Sequence, residues 1–426
     1  MSSEIAIPGQ PAGTYQGWWV LSATFACAML VIGSTNYAFQ LFVVPVQTEF
    51  GLSRAAVNQG MSLFLIGGAL WAPIAGRLLD RFPAPAVMAA GGASIGLGMA
   101  AIAASSSLAW IAGALVGPMA LGAMCAGGLA NTTIVSRWFR RRRGRALGIA
   151  TVSSGAGGFV MVQLITALIA RHGWRGALVW TGAIIALGVG ALALFVVRSR
   201  PDDAALAQAG EHASGIPGEG RPAEQTWSFA ELVRRRNFWC ITFGTGLLMA
   251  SDGALLASKM PYLLGIGIEA QSASFLIACM TASSVAGKLG IGLAADRMDL
   301  RRLFTIVAVC HVILLLVLIA EPGYGVLLVA VSLFGVGVGG VYPLLATLTA
   351  EAFGSASYGS VAGTMQLVLL PISIGLVTFI GASHDRTGDY TLAFEVFIGL
   401  VFLAGALIAL VELPPRVVDA RHEDHS

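Results

Sequence analysis

The sequence predicts an all-α membrane protein with twelve transmembrane helices, arranged as two parallel-repeat six-helix halves. Three observations support this prediction. First, 56% of the 426 residues are hydrophobic and only 11% are charged, whereas roughly 25% of the residues of a soluble domain are charged. Second, the apolar residues form runs of about 20 or more, the length of a helix that spans a bilayer. Third, a Gly-x-x-x-Asp-Arg pattern occurs twice, 216 positions apart.

Each predicted span is an apolar run that tolerates isolated polar residues facing the interior of a bundle. Residues 1–16 lack the basic stretch and short apolar core of a signal peptide, so we expect the first run to remain as a helix. The twelve runs are Trp18–Val44, Arg54–Leu78, Pro85–Ser105, Leu108–Val135, Ala146–Ala170, Arg175–Val197, Phe238–Leu264, Ser272–Leu293, Leu303–Ala320, Val326–Ala350, Gly359–Ala382 and Thr391–Leu413.

One long connection separates the sixth run from the seventh. It is rich in Gly, Pro, Ala and charge, which predicts a linker without a core of its own, with a short surface helix near Ser228–Arg235. The predicted organisation is an N-terminal tail 1–16, a first half 17–197, the linker 198–237, a second half 238–413 and a C-terminal tail 414–426.

The positive charges predict the orientation. Of the 25 lysines and arginines, 19 fall on the side that holds both tails and the linker, and four fall on the other side. Lysine and arginine accumulate on the cytoplasmic side of membrane proteins. We therefore expect a multi-pass protein of the plasma membrane, the inner membrane of a bacterium, with both termini in the cytoplasm.

Several classes of protein are excluded. The five cysteines lie inside apolar runs without the spacing of metal ligands or of a disulfide framework. The net charge is only +3, and the arginines stand in short clusters between apolar runs, which does not favour a nucleic-acid partner. There is no P-loop, HExxH or GxSxG motif, so we expect neither an enzyme nor a bound cofactor or metal.

Two loop motifs occupy equivalent places in the two halves, "GRLLDR" after the second run and "GLAADR" after the eighth. Glycine lets helices approach closely, and an Asp and an Arg at a helix end can pair across the interface between the halves in one conformation and separate in another. The predicted conformational-switch residues are Gly76, Asp80, Arg81, Gly292, Asp296 and Arg297.

These motifs resemble the loop motifs of the major facilitator superfamily, and the resemblance covers all twelve runs. The segments "YAFQLFVVPVQTEF", "SRWFRRRRGRALGIA", "HGWRGA" and "HDRTGDYTLAF" together resemble monocarboxylate transporters and the related oxalate:formate antiporter group. The resemblance implies the major facilitator fold and a monomeric secondary active transporter in the lipid bilayer. It would move a small monocarboxylate by alternating access, by proton symport or anion exchange.

The resemblance also implies a substrate anchor at Lys288. The related transporters carry a basic residue, usually Arg, four positions before the motif glycine of the eighth helix, where it binds the substrate carboxylate. The residue type agrees, because a cation inside a span is functional unless it reaches back to the interface. Members that bind dianions carry a second basic residue in the eleventh helix, where this chain has Met365 and Gln366. One central cation favours a singly charged organic anion.

Further polar residues inside the runs are weaker candidates. Asp252 is a carboxylate well inside an apolar run, which suits proton coupling or charge balance for Lys288, or else a structural partner. Lys259, two turns further along, is expected to be an interfacial lysine, and His311 to be a helix-facing polar residue. The side chains expected to hydrogen-bond the substrate, unless they serve packing alone, are Tyr37, Asn36, Gln163, Tyr342 and Gln366.

Two other functions remain open on the sequence. The chain could carry a drug, a sugar or another organic metabolite, in which case Lys288 would be structural. It could also be a transporter-like receptor that binds a ligand without net flux.

Overall fold

The computed structural model describes residues 16–139, 142–201, 227–321 and 323–413. The C-terminal tail, nearly all of the N-terminal tail and most of the linker lie outside the described residues. The described part of the chain contains helices and no strands. This agrees with a chain in a bilayer, where backbone polar groups must be satisfied within the helix itself.

The first half consists of six helices. The first four are α1 (Gln16–Phe50), α2 (Arg54–Arg81), α3 (Ala84–Ala104) and α4 (Leu108–Trp138). A helical run of 53 residues follows, Arg143–Phe195, which would be about 80 Å long if it were straight, more than twice the thickness of a hydrocarbon core. Gly173 breaks this run into α5 (143–172) and α6 (174–195), because its φ of 68° and ψ of 174° are not helical.

The second half also has six helices. They are α7 (Arg236–Gly265), α8 (Ala270–Ala295), α9 (Leu300–Ala320), α10 (Tyr324–Phe353), α11 (Tyr358–Thr387) and α12 (Thr391–Ala409). A short helix, Phe229–Leu232, precedes α7 and confirms the expected surface helix. Gly388 ends α11 with a φ of 80°, as Gly173 ends α5 in the first half. The glycines with positive φ at equivalent places support the internal repeat. All twelve predicted runs are helical, and their ends differ from the predicted ones by at most six residues, the largest difference being at the end of α1.

Two helices of the first half are not regular throughout. In α1 a π-helical turn at Gly33–Tyr37 is followed by a 3₁₀ segment at Ala38–Phe42. In α4 a π-helical turn at Leu115–Met119 contains Pro118, which cannot donate the usual backbone hydrogen bond. Both irregular turns border a cavity of about 300 Å³ inside the first half. Such turns often mark functional positions, and the one in α1 contains the candidates Asn36 and Tyr37.

Glycines bring the two halves into contact. A Cβ on Gly148 of α5 would lie 2.5 Å from the carbonyl oxygen of Lys288 on α8, so the two backbones touch there. Gly144 packs in the same way against Gly292 on α8. At the equivalent crossing of α2 and α11, Gly76 packs against the backbone of Gly359. A larger residue at these positions would force the halves apart.

Candidate functional site

Asp80, at the end of α2, binds the first turn of α11 in the opposite half. Its carboxylate accepts hydrogen bonds from the backbone N–H of Gly359 at 3.1 Å and of Ser360 at 2.7 Å, and from the Ser360 hydroxyl. The first N–H groups of a helix have no partner within it, and the helix dipole favours an anion at this position. Asp80 therefore caps α11 across the interface between the halves.

Asp296, at the end of α8, makes the equivalent contact in the other direction. Its carboxylate accepts hydrogen bonds from the backbone N–H of Gly144 at 2.6 Å and of Arg145 at 3.0 Å, in the first turn of α5. The two aspartates of the repeated motif thus cap two helices in a pseudo-symmetric pair. We call the end of the bundle that holds Asp80 and Asp296 the motif end, and the opposite end the far end.

The arginines of the motif do not take the place expected for them. Arg81 and Arg297 are exposed. The arginine that pairs with Asp80 is Arg137, which is buried at the end of α4 and places Nη2 2.7 Å from Oδ1 of Asp80. Arg137 also donates to the carbonyl of Ser355 near the start of α11, at 3.4 Å. At Asp80, the expected pairing with the motif arginine is therefore replaced by an Asp–helix contact and an ion pair with the buried Arg137.

Lys288 lies between the halves above these contacts. Its ammonium donates to the hydroxyl of Ser154 on α5 at 3.0 Å. Lys288 stands seven residues before the end of α8, which places it about 10 Å from the motif end. The contacts of the two aspartates join the halves at the motif end, so any path from solution to Lys288 would begin at the far end. The lysine side chain bonds across the interface instead of reaching back to the membrane surface.

Two tyrosines from opposite halves face the same space. Tyr37 on α1 is 48% exposed and Tyr342 on α10 is 57% exposed. The two side chains are nevertheless close enough to interact electrostatically, and Tyr342 also interacts with Asp252. Side chains that lie near each other and are still half exposed border an open space between the halves. The ring of Tyr37 lies over Gly158 of α5, where a Cβ would meet it at 2.8 Å.

The remaining predicted binding residues have fewer contacts. The side-chain amide of Asn36 donates to the hydroxyl of Thr35 at 3.3 Å. Gln366 on α11 is exposed. Gln163 is also exposed, but it stands nine residues from Ser154, half a turn around α5 and so on the opposite side from Lys288. The contacts described here do not bring Gln163 to the other candidates, and its role stays a prediction.

Asp252 pairs with Lys259 rather than with Lys288. The Nζ atom of Lys259 lies 3.9 Å from Oδ1 of Asp252, 3.0 Å from the sulfur of Met280 and 4.7 Å from the ring centroid of Phe334. The Lys259 side chain is only 11% exposed, so the expectation of an interfacial lysine was wrong. The pair forms because the two residues are seven apart, two turns along one helix face.

His311 packs against the same Phe334 ring. The imidazole is fully buried, its centroid is 4.5 Å from that of Phe334, and neither ring nitrogen has a hydrogen-bond partner among the described residues. His311 is also within electrostatic range of Lys259. The expectation that it faces other helices rather than lipid is confirmed.

Two residues of the site, Ser154 and Arg137, were not predicted from the sequence, and neither was the pairing of Lys259 with Asp252. Serine in an apolar run carries little signal, because it also bonds its own helix backbone. Arg137 belongs to a cluster of six arginines between Arg137 and Arg145, in which no member stands out by spacing. The spacing of Asp252 and Lys259 was a signal that could have identified their ion pair.

Curated relatives cover almost the whole chain at low identity. Monocarboxylate transporter 13 of Bos taurus is 26% identical, over 96% of this chain and 92% of that protein. The Fujikurins efflux protein of Gibberella fujikuroi is 25% identical, over 94% of this chain and 83% of that protein. The uncharacterized MFS-type transporter YcxA of Bacillus subtilis is 24% identical, over 93% of this chain and 95% of that protein.

Solved structures share the fold. The transporter FucP in its outward conformation aligns with a TM-score of 0.67 and 16% identity, over 93% of this chain and 100% of that one. The human organic anion transporter MFSD10 aligns with a TM-score of 0.68 and 16% identity, over 92% of this chain and 99% of that one. The family model of the Major Facilitator Superfamily matches residues 23–378. With this match, the twelve-helix fold and the paired motif contacts, the chain belongs to the Major Facilitator Superfamily and is a membrane transporter, not an enzyme.

Proposed function

We propose that this protein is a secondary active transporter that moves a small monocarboxylate across the plasma membrane. The observation that supports the proposal most strongly is Lys288, a cation between the halves whose ammonium donates to Ser154. Among the ion pairs of the described residues, none gives Lys288 a carboxylate partner. A buried charge without a counter-charge is costly, so a substrate carboxylate in contact with Lys288 would lower the free energy of the site.

The donor geometry suits a carboxylate. A lysine ammonium has three N–H donors, of which one reaches Ser154. Within the described part of the chain no acceptor contacts the other two donors, so they would be available to a solute that also reaches Tyr37 and Tyr342. The tyrosine hydroxyls would bind a second polar group or the distal oxygen of the acid. Lysine lacks the planar fork of arginine, so we expect the carboxylate to be held less strictly in orientation.

Alternating access follows from where the contacts lie. In the described conformation the halves are joined at the motif end by Asp80 and Asp296. Opening of that end requires both aspartates to leave the helices they cap, and Lys288 to separate from Ser154. A substrate carboxylate that binds Lys288 competes with the Ser154 hydroxyl. Substrate binding would therefore weaken one of the bonds that hold the halves together at the motif end.

The relatives favour an acid as substrate. Several curated relatives are named monocarboxylate transporter 11, 12 or 13, and one solved structure with the same fold is an organic anion transporter. Asp252, which is partly exposed beside Tyr342, would bind the coupling proton if the carrier is a symporter. An anion exchanger would need no such proton, so the two modes differ in their response to a proton gradient.

Uptake into proteoliposomes tests the proposal. We would measure radiolabelled acetate, lactate, pyruvate and benzoate with an inward proton gradient, and separately with one of these acids inside. Wild type should accumulate at least one acid. Lys288→Gln should lose at least about tenfold in uptake, equivalent to about 1.4 kcal/mol of binding, and Lys288→Arg should retain most of it.

The control is Arg302→Gln, which removes an exposed cation at the motif end and should leave uptake unchanged. If no acid is taken up, or if Lys288→Gln transports as well as wild type, the monocarboxylate proposal fails. A carrier of another organic solute would then be the better hypothesis, and one relative is named an efflux protein.

A further inference from the structure

The chain contains only two lysines, and both lie inside transmembrane helices. The other 23 of the 25 lysines and arginines are arginines. Lys288 is the proposed substrate anchor near the motif end. Lys259 lies on α7, six residues from its end at Gly265, and so about 9 Å of helix rise from the far end. In a conformation closed at the motif end, a solute passes the level of Lys259 before it reaches Lys288.

The ammonium of Lys259 is poorly coordinated. Its close neighbours are the thioether of Met280, the aromatic face of Phe334 and the carboxylate of Asp252. A thioether is a weak acceptor, and an aromatic ring replaces only part of the hydration of a cation. The distance of 3.9 Å to Asp252 is longer than a charge-assisted hydrogen bond, which is about 2.7–2.9 Å. Lys259 therefore retains unused capacity to bind an oxygen anion.

We propose that Lys259 forms a second, outer anion-binding subsite, which becomes available to the substrate when Asp252 takes up a proton. This inference rests on the proposed function, since it assumes that the solute is an anion. In the described state Asp252 supplies the counter-charge of Lys259. A proton from the far-end solution that binds an oxygen of Asp252 makes this side chain a neutral carboxylic acid, and the ammonium of Lys259 remains charged.

Charge balance then couples the proton to the anion. With Asp252 neutral, Lys259 is a cation in an apolar bundle without a counter-charge, which is unfavourable. The carboxylate of the substrate restores the balance, so one proton and one monovalent anion enter the site together and leave its net charge unchanged. The anion then moves to Lys288, and it is released when the motif end opens. Asp252 finally loses its proton and forms the ion pair with Lys259 again.

Few other titratable groups face this pair. Tyr342 of α10 lies within electrostatic range of Asp252, and His311 of α9 lies within range of Lys259. Tyr262 of α7 lines the same small cavity as Lys259, and its hydroxyl donates to the carbonyl of Leu318. The neighbouring α8 contributes Met280, and α10 contributes Phe334, neither of which carries charge. Since the nitrogens of His311 have no partner within the described part of the chain, a charged imidazole beside Lys259 would be repelled. Asp252 is therefore the group that exchanges the proton.

Binding at two pH values tests the subsite. We would measure equilibrium binding of whichever radiolabelled acid of the panel is transported, to purified protein at pH 5 and pH 8. Wild type should bind about tenfold more tightly at pH 5. Asp252→Asn mimics the protonated acid and should bind tightly at both pH values. Lys259→Gln should bind weakly and equally at both, through Lys288 alone.

The double variant Asp252→Asn/Lys259→Gln removes both charges together and so avoids an unpaired buried charge if a single variant fails to fold. It should bind like Lys259→Gln, without pH dependence. If Lys259→Gln or the double variant still bound the acid about tenfold more tightly at pH 5 than at pH 8, the inference would be wrong. The proposal that Lys288 anchors the substrate would be unaffected. If wild type bound no acid of the panel, or bound it no more tightly than Lys288→Gln does, the proposed function itself would be wrong.

Discussion

The ammonium of Lys288 on α8 lies 3.0 Å from the hydroxyl of Ser154 on α5, so one hydrogen bond joins the proposed substrate anchor to the opposite half of the transporter. A few residues away along the same two helices, Gly148 and Gly292 let the backbones touch. The proposed anchor is thus placed where the halves would separate if the motif end opened. A ligand that binds Lys288 would act directly on this contact.

Ser154→Ala should favour opening of the motif end. The substitution removes the hydroxyl but leaves the ammonium free for a substrate, and a hydrogen bond to a charged group contributes about 1.5 kcal/mol. We expect up to about a tenfold gain of the open population. Distances between spin labels at Arg77→Cys and Arg302→Cys, exposed positions on α2 and α9, measure this directly. An unchanged distance distribution would mean that the bond does not stabilise the closed state.

Asp80→Asn should destabilise the closed motif end more strongly. It removes the charge that caps α11 and takes an ionic partner away from the buried guanidinium of Arg137. Removal of one partner of a buried ion pair costs about 3–5 kcal/mol. The same pair of spin labels should report a predominantly open motif end, and the thermal unfolding midpoint should fall.

A second substitution separates charge from capping at this site. In Asp80→Asn/Arg137→Gln both charges of this ion pair are removed together, so the midpoint should recover part of the loss seen in Asp80→Asn alone. The motif end should still be more open than in wild type, because the cap of α11 is weaker. Equal midpoints for the single and double variants would contradict the view that Arg137 depends on Asp80.

The glycine contacts predict that two Gly→Ala substitutions on α5 will have different effects on the opening of the motif end. Gly148→Ala places a methyl group 2.5 Å from the carbonyl oxygen of Lys288, whereas the Cβ of Gly155→Ala meets no atom within 4 Å. Both substitutions favour the helix by about 1 kcal/mol. Gly148→Ala should nonetheless shift the spin-label distances toward the open state, and Gly155→Ala should not. The close approach would be unimportant if both variants behaved alike.

The surface helix before α7 has a pH-dependent cap. Glu231 accepts hydrogen bonds from the backbone N–H and the hydroxyl of Ser228, both at 2.8 Å, and these bonds hold the pKa of Glu231 below its ordinary value of 4.5. A lowered folded-state pKa stabilises the helix above pH 4.5, and this contribution is lost as the pH falls through the folded value. Amide exchange at residues 229–232 should be slow at pH 7 and accelerate with Glu231→Gln. Equal rates in the two proteins would contradict the cap.

The architecture can be predicted from the sequence because the backbone polar groups of a segment in a bilayer must be hydrogen-bonded within the protein. Apolar runs of sufficient length must be helices, and the repeated motif predicts which helix ends are equivalent. Gly173 and Gly388 are 215 positions apart, close to the motif spacing of 216, and both have a positive φ at the ends of α5 and α11. The aspartates of the motif could also be predicted, since a carboxylate at a helix end is suited to cross-interface contact.

The partners of the site could not be predicted in the same way. Which side chain faces Lys288 depends on the rotation of α5 about its axis and on its depth against α8, and neither is encoded by periodicity. Arg137 is selected from its arginine cluster by the packing of α4 beneath Asp80. For Lys259, the seven-residue spacing from Asp252 indicated an ion pair, but the position near the helix end favoured the prediction of an interfacial lysine. The sequence does not show that Phe334 and Met280 cover the ammonium in the fold.

The most direct test of the account is equilibrium binding of the panel of radiolabelled monocarboxylates to the purified protein and to its Lys288 variants. Binding, unlike flux, does not depend on the coupling mode or on the rate of opening. Wild type should show saturable binding of at least one acid, Lys288→Gln should lose this binding, and Lys288→Arg should retain it. Wild-type affinity in Lys288→Gln would contradict the assignment of Lys288 as the substrate anchor.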